Sequence, residues 1–405
     1  MIETPMPAMP MAGTRVLDIA TFIAAPMAAA ILGEFGADVI KIEQPGAGDP
    51  WRRYGTKSQR DDSTLAWLAE ARNKRSLTLN LKSSEGAEIF KRLVAQADVV
   101  TENFRPGTLE KWGLGYDVLS KINPKIILMR VSGYGQTGPY KTRPGFARIA
   151  HAFGGLTHLA GMPDGPPVTP GSTSLGDYMT GMYGAIGILL ALKERDRSGQ
   201  GQEIDLALYE SVFRALDELA PAYAATGFVR GREGISTVNA CPHGHFQCGD
   251  GRWVAIACTS DKMFERLARA MGKAELSSLD TYATSAQRLA DRDTVEGLVS
   301  KWTGSMARDE VIETCVENEV PIGAVNAINE IFDDPHFQAR GNLETINDPE
   351  AGQVTIPAVI PRLSRTPGKV MNLGPALGNA NKSVLEDLLG FSAEQVLELK
   401  SKGVI

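Results

Sequence analysis

Residues 14–45 run strand, helix, strand with very little connecting chain, and nothing else in the sequence constrains the fold as much. TRVLDIA (14–20) is a short apolar run of the kind that fills a buried strand. AAPMAAAILGEFGAD (24–38) follows as an alanine-rich helix that stops near Gly36, and DVIKIEQP (38–45) is a second strand ended by Pro45. Two strands joined through a helix lie parallel, because a parallel pair needs a crossover and cannot be closed by a tight turn. The pattern then repeats. SLTLNL (76–81) alternates as a strand, SEGAEIFKRLVAQA (84–97) is an amphipathic helix opened at Ser84, and DVVTENF (98–104) is another strand. KIILMRVSGYG (125–135) is a strand running into glycines. Residues 14–135 therefore read as an open α/β domain built on a parallel sheet.

A glycine-rich loop, GGLTHLAGMPDGPPVTPGSTSLGD (154–177), comes next, and then a helix from Tyr178 to about Lys193. Gly181, Gly184 and Gly187 recur along that helix at a spacing that lets another backbone come close. DRSGQGQEIDLALYESVFRAL (196–216) offers a turn, a strand and a further helix. From residue 227 the texture changes to loop and strand, with a GDG hairpin turn at 249–251. The expected organisation is a large discontinuous domain, residues 1–226 plus 331–405, and a smaller central α+β domain over 227–330. The tail from Glu319 onward alternates strands and helices and is expected to rejoin the first sheet.

Composition limits the function. The chain has 405 residues, 43% apolar and 22% charged, which fits a globular enzyme of two or three domains. Lys plus Arg total 42 against 48 Asp plus Glu, a net charge of −6 that argues against broad nucleic-acid binding. The four cysteines, Cys241, Cys248, Cys258 and Cys315, form no C-x-x-C pair, which points to a reduced, cytoplasmic protein. MIETPMPAMPMAGTR has neither the basic start nor the apolar core of a signal peptide. The longest apolar stretches, Phe22–Leu32 and Ala185–Leu192, fall short of a membrane span. No G-x-S-x-G elbow and no G-x-x-x-x-G-K-[ST] loop is present.

Several positions carry possible chemistry. Glu43 ends the second strand where dinucleotide enzymes keep a ribose-binding acid, but the preceding turn, ATFIAAPMAAA, has no glycine, so nicotinamide is not expected. The amino end of that helix still favours an anion. Segment 52–75 holds seven bases (Arg52, Arg53, Lys57, Arg60, Arg72, Lys74, Arg75) and three acids, a local excess suited either to phosphates or to a solvated loop. Arg105 sits between a strand and a Pro-Gly turn, where ligand contacts are common. Asp177 stands just ahead of the helix read from Tyr178. It is either an N-cap or a carboxylate whose pKa the amides and helix dipole lower, able to attack an activated acyl group. His243 and His245, in CPHGHF, lack a third ligand for metal and read as a structural loop or a carboxylate-binding site.

As a set, these segments resemble the class III coenzyme A transferases, the family of formyl-CoA transferase, carnitine CoA-transferase and the succinyl-CoA-dependent dicarboxylate transferases. The matching residues are GTRVLDIATFIAAPMAAAILGEFGADVIKIEQPGAGDPWR, NKRSLTLNLKSSEG, DVVTENFRPGTLEKWGLGYDVL, GYGQTGPY, PGFARIAHAFGGL, GDYMTGMYGAIGILLAL and RSGQGQEIDLALYES. They cover most of residues 14–212 in order, with a looser match in GRWVAIAC and VPIGAVNAINEIFDDPHFQARG. The resemblance implies a Rossmann-like large domain made from both chain ends, a small central domain, and two subunits threaded through each other as an interlocked homodimer. It places the family's nucleophile on Asp177, in GDYMTG. Coenzyme A contacts fall on Ile23, Ala24, Gln44, Leu79, Asn80, Lys82, Asn103, Phe104, Arg105 and Lys111. Several members carry a base where Gln44 stands, so Arg52, Arg75 and Arg143 are candidates for the phosphates.

The resemblance further implies acyl-CoA as substrate, with no metal and no nicotinamide, and small carboxylic acids as the other partner. The segment matching the glycine loop of formyl-CoA transferase is TVNACPHGHF (237–246), with one glycine, which disfavours formyl-CoA and oxalate. PGFARIAHAFGGLTHLAG and NACPHGHF look most like members that pair succinyl-CoA with malate, citramalate, itaconate or mesaconate. His243, His245 or Arg148 would hold the distal carboxylate of such an acid. The alternative on the same fold is an α-methylacyl-CoA racemase, which needs an acid/base pair; His151, in RIAHAF, lies near where that family keeps a histidine.

Overall fold

Six parallel strands form one sheet in the computed structural model, which describes residues 8–405. Residues 1–7, the start of the stretch read as carrying no signal, lie outside the described residues. The strands are β1 (Arg15–Asp18), β2 (Asp38–Glu43), β3 (Lys74–Thr78), β4 (Val99–Glu102), β5 (Ile127–Ser132) and β6 (Glu203–Ala207), in the order β3-β2-β1-β4-β5-β6. The inner strands β1, β4 and β5 are buried on both faces because helices cover both sides, whereas the edge strand β6 exposes Glu203 and Asp205. Val16, Val39, Val99 and Ile127 face α1 (Ala24–Glu34). Leu17, Ile40, Val100 and Leu128 face the side that holds Phe90 and Leu93 of α3 (Ser84–Val94). The shorter helices α2 (Leu65–Glu70), α4 (Thr108–Lys111) and α5 (Tyr116–Ile122) fill the remaining crossovers. The helix expected over 84–97 is capped by Ser83, whose hydroxyl accepts from the Gly86 amide.

After β5 come α6 (Ala147–Phe153), the short α7 (Leu156–Leu159), α8 (Leu175–Ser198) and α9 (Leu208–Arg214). Helix α8 starts earlier than the sequence reading placed it, with Ser174 at the N-cap, so Asp177 lies in the first turn and not ahead of it. The glycine spacing has a packing cause. A Cβ on Gly181 would lie 2.7 Å from Met27 Cβ in α1, and one on Gly184 would lie 2.6 Å from Met129 Sδ in β5. Among the described residues, α8 is the one helix long and apolar enough to cross a bilayer by length and composition, with 44% of its apolar window buried. Its core face, Ala185, Ile188 and Ala191, packs in the cluster with α1.

The chain divides into two compact units. The first contains the sheet and comprises residues up to Leu156, Gly171–Glu218 and Gln338–Ile405. The tail does not rejoin the sheet as strands. β10 (Leu343–Asp348) and β11 (Gly352–Pro357) pair only with each other, antiparallel. What meets the sheet is the segment 379–381: Asn379 Oδ1 accepts from the Ser76 amide and Asn381 Oδ1 from the Thr78 amide, both at 2.9 Å, and the Ala380 amide donates to the Ser76 carbonyl at 2.8 Å. They satisfy the free edge of β3, which would otherwise present unpaired amides.

The second unit, Thr157–Pro170 with Leu219–Phe337, holds an antiparallel sheet β7 (His243–Gln247), β8 (Trp253–Ala257), β9 (Ile322–Ala324). Its core joins Phe246, Val254, Ile256, Leu267, Val299 and Val311 with Cys248, Cys258 and Cys315. All four cysteines are free thiols and buried.

Candidate active site

Strand order reverses direction between β1 and β4, and in a doubly wound sheet the crevice outside the carboxyl ends at that point is where ligands bind. The loops leaving these two strands are tied together. Asn103 Oδ1 accepts from the Thr21 amide at 2.8 Å, and Asn103 Nδ2 donates to the Thr21 carbonyl at 2.7 Å. Both loops line a cavity of about 550 Å³ that reaches Asp177. Of the residues singled out in the sequence, Ile23, Ala24, Asn103, Phe104, Arg105, Arg143, Arg148 and Asp177 line it together. Gln44, Leu79 and Lys82 line a second cavity of about 260 Å³, which shares Thr21 and Phe104 with the first. The two form a track along the carboxyl edge of the sheet.

The remaining candidates lie elsewhere. Asn80 and Lys111 line neither cavity; the Asn80 side chain accepts from the Lys82 amide, and Lys111 ends α4. Arg75 is paired with Asp38 at 2.8 Å near the start of β3, at the amino end of the sheet, away from both cavities. Arg52 is buried against Glu43 at 2.7 Å, with its guanidinium 3.9 Å from the Trp67 ring centroid. Lys74 is buried against Asp18 at 2.8 Å. Part of the basic excess in 52–75 is thus internal pairing and neither a solvated loop nor a phosphate site. Glu43 itself also accepts from the Ser76 hydroxyl and the Asp49 amide. His243 and His245 lie on β7 of the second unit, the first partly buried and the second exposed. Among the described residues no group of three or more His, Cys, Asp or Glu could hold a metal.

Burial pushes the Asp177 carboxyl up to about 7. The sequence reading expected amides and the helix dipole to lower it. The first turn of α8 instead draws the side chain into the cavity wall, where loss of water penalises the anion. Arg105, Arg143 and Arg148 are exposed and bring positive charge to the same cavity. Arg143 lies over the Tyr140 ring at 3.6 Å, which limits how it can turn.

His151 is buried one turn along α6 from Arg148, and its Nε2 accepts from the Gly176 amide at 2.8 Å. Burial, together with the Arg148 charge, holds its pKa below the ordinary value. The lone pair a racemase base would use is already engaged.

The sequence reading missed an aromatic wall. Phe22, Trp51, Tyr54 and Phe146 all line the cavity; Trp51 stacks on Tyr54 at 5.2 Å, and Phe22 meets Phe146 edge-on at 6.2 Å. These residues are dispersed in the chain and gave no periodic signal. Gly133 and Gly145 were also missed. A Cβ on either would lie within 2.8 Å of the other's Cα, so the backbones cross in contact and deliver residues 143–148 to the cavity.

A doubly wound sheet, a track of two cavities along its carboxyl edge and a carboxyl group of raised pKa define a coenzyme-binding α/β enzyme. The chain belongs to CoA-transferase family III, whose profile matches residues 11–381, and it is an enzyme that transfers coenzyme A. It is 58% identical over 400 residues to the succinyl-CoA–L-malate CoA-transferase beta subunit of Chloroflexus aurantiacus, covering 98% of each chain. It is 55% identical over 397 residues to the alpha subunit from the same organism, covering 98% of this chain and 93% of that one. The crystal structure of a CAIB/BAIF family protein from Brucella suis superposes with a TM-score of 0.83 at 34% identity, covering 94% of this chain and 100% of that one.

Proposed function

We propose that this enzyme moves coenzyme A from succinyl-CoA to a small dicarboxylic acid of the malate or citramalate type, with Asp177 as the covalent carrier. The observation that carries the reading is the placement of Asp177 in the larger cavity with its carboxyl group near pKa 7. Such a group is ionised in good part at neutral pH and is more basic than an ordinary carboxylate, which favours nucleophilic attack. The L-malate relatives support the choice of acids.

The Asp177 carboxylate attacks the donor thioester carbonyl, forming a mixed anhydride and releasing CoA thiolate. The thiolate attacks the aspartyl carbonyl, expels succinate and leaves an aspartyl-CoA thioester. The acceptor carboxylate then attacks that carbonyl, and the released thiolate takes the acceptor acyl group, restoring Asp177. Each attacking group is already an anion, so positioning and stabilisation of developing oxyanions supply the catalysis. Gln44, Leu79 and Lys82 are assigned to the nucleotide end of CoA, with Asn80 and Lys111 flanking them. Ile23, Ala24, Asn103, Phe104 and Arg105 are assigned to the pantetheine arm, and Arg143 to anionic oxygen near the thioester. Arg148, or else His243 or His245, is assigned to the distal carboxylate of the acceptor. Racemase chemistry is the less favoured reading, because the His151 Nε2 is committed to Gly176.

The proposal includes a cytoplasmic, interlocked homodimer, with the large domain over 1–226 and 331–405 and the small one over 227–330. In support, α8 exposes Met182, Ile186 and Leu190 at four-residue spacing, an apolar stripe suited to a second copy. The decisive experiment incubates wild type and Asp177→Ala with succinyl-CoA and a panel of four- and five-carbon dicarboxylates. Wild type should form the acceptor thioester and yield CoA on the Asp177 peptide by mass spectrometry. Equal exchange by D177A would overturn the reading.

A further inference from the structure

Two side chains grip the backbone of Gly176, the residue that leads into Asp177, one at each of its flanking peptides. The Gly176 amide donates to His151 Nε2 at 2.8 Å, and the Thr180 hydroxyl donates to the Gly176 carbonyl at 2.7 Å. His151 and Thr180 are 1% and 0% exposed. A Cβ on Gly176 would lie 3.0 Å from Nε2 and 3.2 Å from Val212 Cγ2, so a larger residue would press on the ring that makes this approach. The amide concerned is one of the first in α8, which lack partners within the helix. Ser174, at the N-cap, makes no side-chain bond to them. His151 supplies from α6 the cap that the helix does not provide for itself.

A ring nitrogen that accepts a hydrogen bond carries no proton, so the neutral ring keeps its proton on Nδ1. The same short helix places Arg148 in the cavity lined by Asp177. We propose that His151 is a positioning residue for the transfer reaction: its unprotonated Nε2 fixes the Gly176 peptide and so aims the Asp177 carboxylate at the thioester carbonyl. It neither takes nor gives a proton during turnover. Displacing a reacting group by about 1 Å costs on the order of 100-fold in rate, so loosening this turn acts on chemistry more than on binding. The inference rests on Asp177 being the nucleophile.

The test compares wild type, Asp177→Ala, His151→Leu and His151→Gln, with acyl-CoA affinity measured separately from the single-turnover rate of aspartyl-CoA formation. Glutamine keeps an acceptor near the Nε2 position; leucine does not. H151L should lose about 100-fold in the rate with acyl-CoA affinity within about threefold, and H151Q should recover at least a third of the wild-type rate. A folded H151L that forms the intermediate at wild-type speed overturns the inference, and so does a folded H151Q as slow as H151L. D177A separates the two levels: its full activity would sink the nucleophile reading, whereas an inactive D177A beside a fully active H151L sinks only the positioning role. A further measurement needs no variant to fold. In histidine-¹⁵N-labelled wild type, the His151 ring should show an unprotonated Nε2 and a protonated Nδ1. The reverse tautomer overturns the inference.

Discussion

Lys41 Nζ lies 2.9 Å from the Asp49 carboxylate, and both side chains are 1% exposed. The pair organises the cavity from beneath. Asp49 Oδ1 accepts from the Phe22 amide at 3.1 Å and from the Trp51 amide at 2.9 Å, so one carboxylate holds two aromatic walls. Phe22 has φ 60°, a left-handed backbone that a bulky residue adopts only when its surroundings impose it. Lys41 also lies 3.6 Å from Asp18, and Lys74 lies 2.8 Å from the same Asp18 carboxylate. Burial opposes charge on Asp18, yet Lys41 and Lys74 together hold its carboxyl below the usual range.

Removing one member of this network strands its partner. Asp49→Ala should destabilise the protein by about 3–5 kcal/mol, the range for breaking a buried ion pair from one side. It also frees the Phe22 amide, so the KM for acyl-CoA should rise. Asp49→Asn keeps an acceptor for both amides and should cost less on both counts. Chemical denaturation and steady-state kinetics of the two variants check this. Equal behaviour of D49A and wild type would remove the network's role.

Asp177 sets a pH dependence. With its carboxyl near 7, kcat/KM should fall as pH drops through about 7, because the nucleophile becomes protonated. The stability sign is opposite to that of a paired carboxylate. The folded pKa lies above the unfolded value of about 3.9, so between those values the folded state binds more protons than the unfolded one. Stability therefore declines as pH rises from about 4 to about 7 and is flat above that. Asp177→Asn should be more stable than wild type by up to about 4 kcal/mol at pH 8, the roughly three-unit shift at about 1.4 kcal/mol per unit, with the difference vanishing below pH 4. Thermal melts across pH check the slope, and a difference independent of pH would contradict it.

Arg148 offers the charge that separates diacids from monoacids. Charge-assisted hydrogen bonds contribute about 1.5–3 kcal/mol, so Arg148→Ala should raise the acceptor KM for dicarboxylates by about 10- to 100-fold. For monocarboxylates the change should stay within about threefold. Initial rates over a series of mono- and diacids decide the case, and equal effects on both classes would release the residue from the role.

The sheet was legible because its signal is local. Runs such as VLDIA and SLTLNL, the first followed by an alanine-rich helix and the second by an amphipathic one, leave little choice but a parallel order. The tail was misread because β10 and β11 look like any half-buried strands; only the placement of Asn379 and Asn381 shows that the β3 edge is closed by the segment 379–381. Asp177 was found through its motif, but not its environment. Whether a carboxyl group gains amides or loses water depends on where the first turn of α8 packs, and helix starts are weakly encoded in sequence. Arg75 shows the same limit. Its charge is visible in the sequence, while its pairing with Asp38 across β2 and β3 depends on register.

Two glycines of α8, Gly181 and Gly187, give a last prediction because they separate packing from propensity. A Cβ at Gly181 meets Met27 Cβ at 2.7 Å and the Ala24 carbonyl at 2.9 Å, in a helix–helix contact that has no slack. A Cβ at Gly187 meets only Ile204 Cγ2 at 3.4 Å and Cδ1 at 3.7 Å, which is ordinary contact. Alanine in a helix interior is favoured over glycine by about 0.8–1 kcal/mol, whereas overpacking costs about 1–3 kcal/mol. Gly187→Ala should therefore be neutral or stabilising, and Gly181→Ala should destabilise. Gly181 also lies about one turn along α8 from Asp177, so pushing α1 and α8 apart should move the nucleophile and lower kcat in G181A while G187A keeps it. Matched changes in stability and kcat for the two variants would show that helix propensity alone governs both positions.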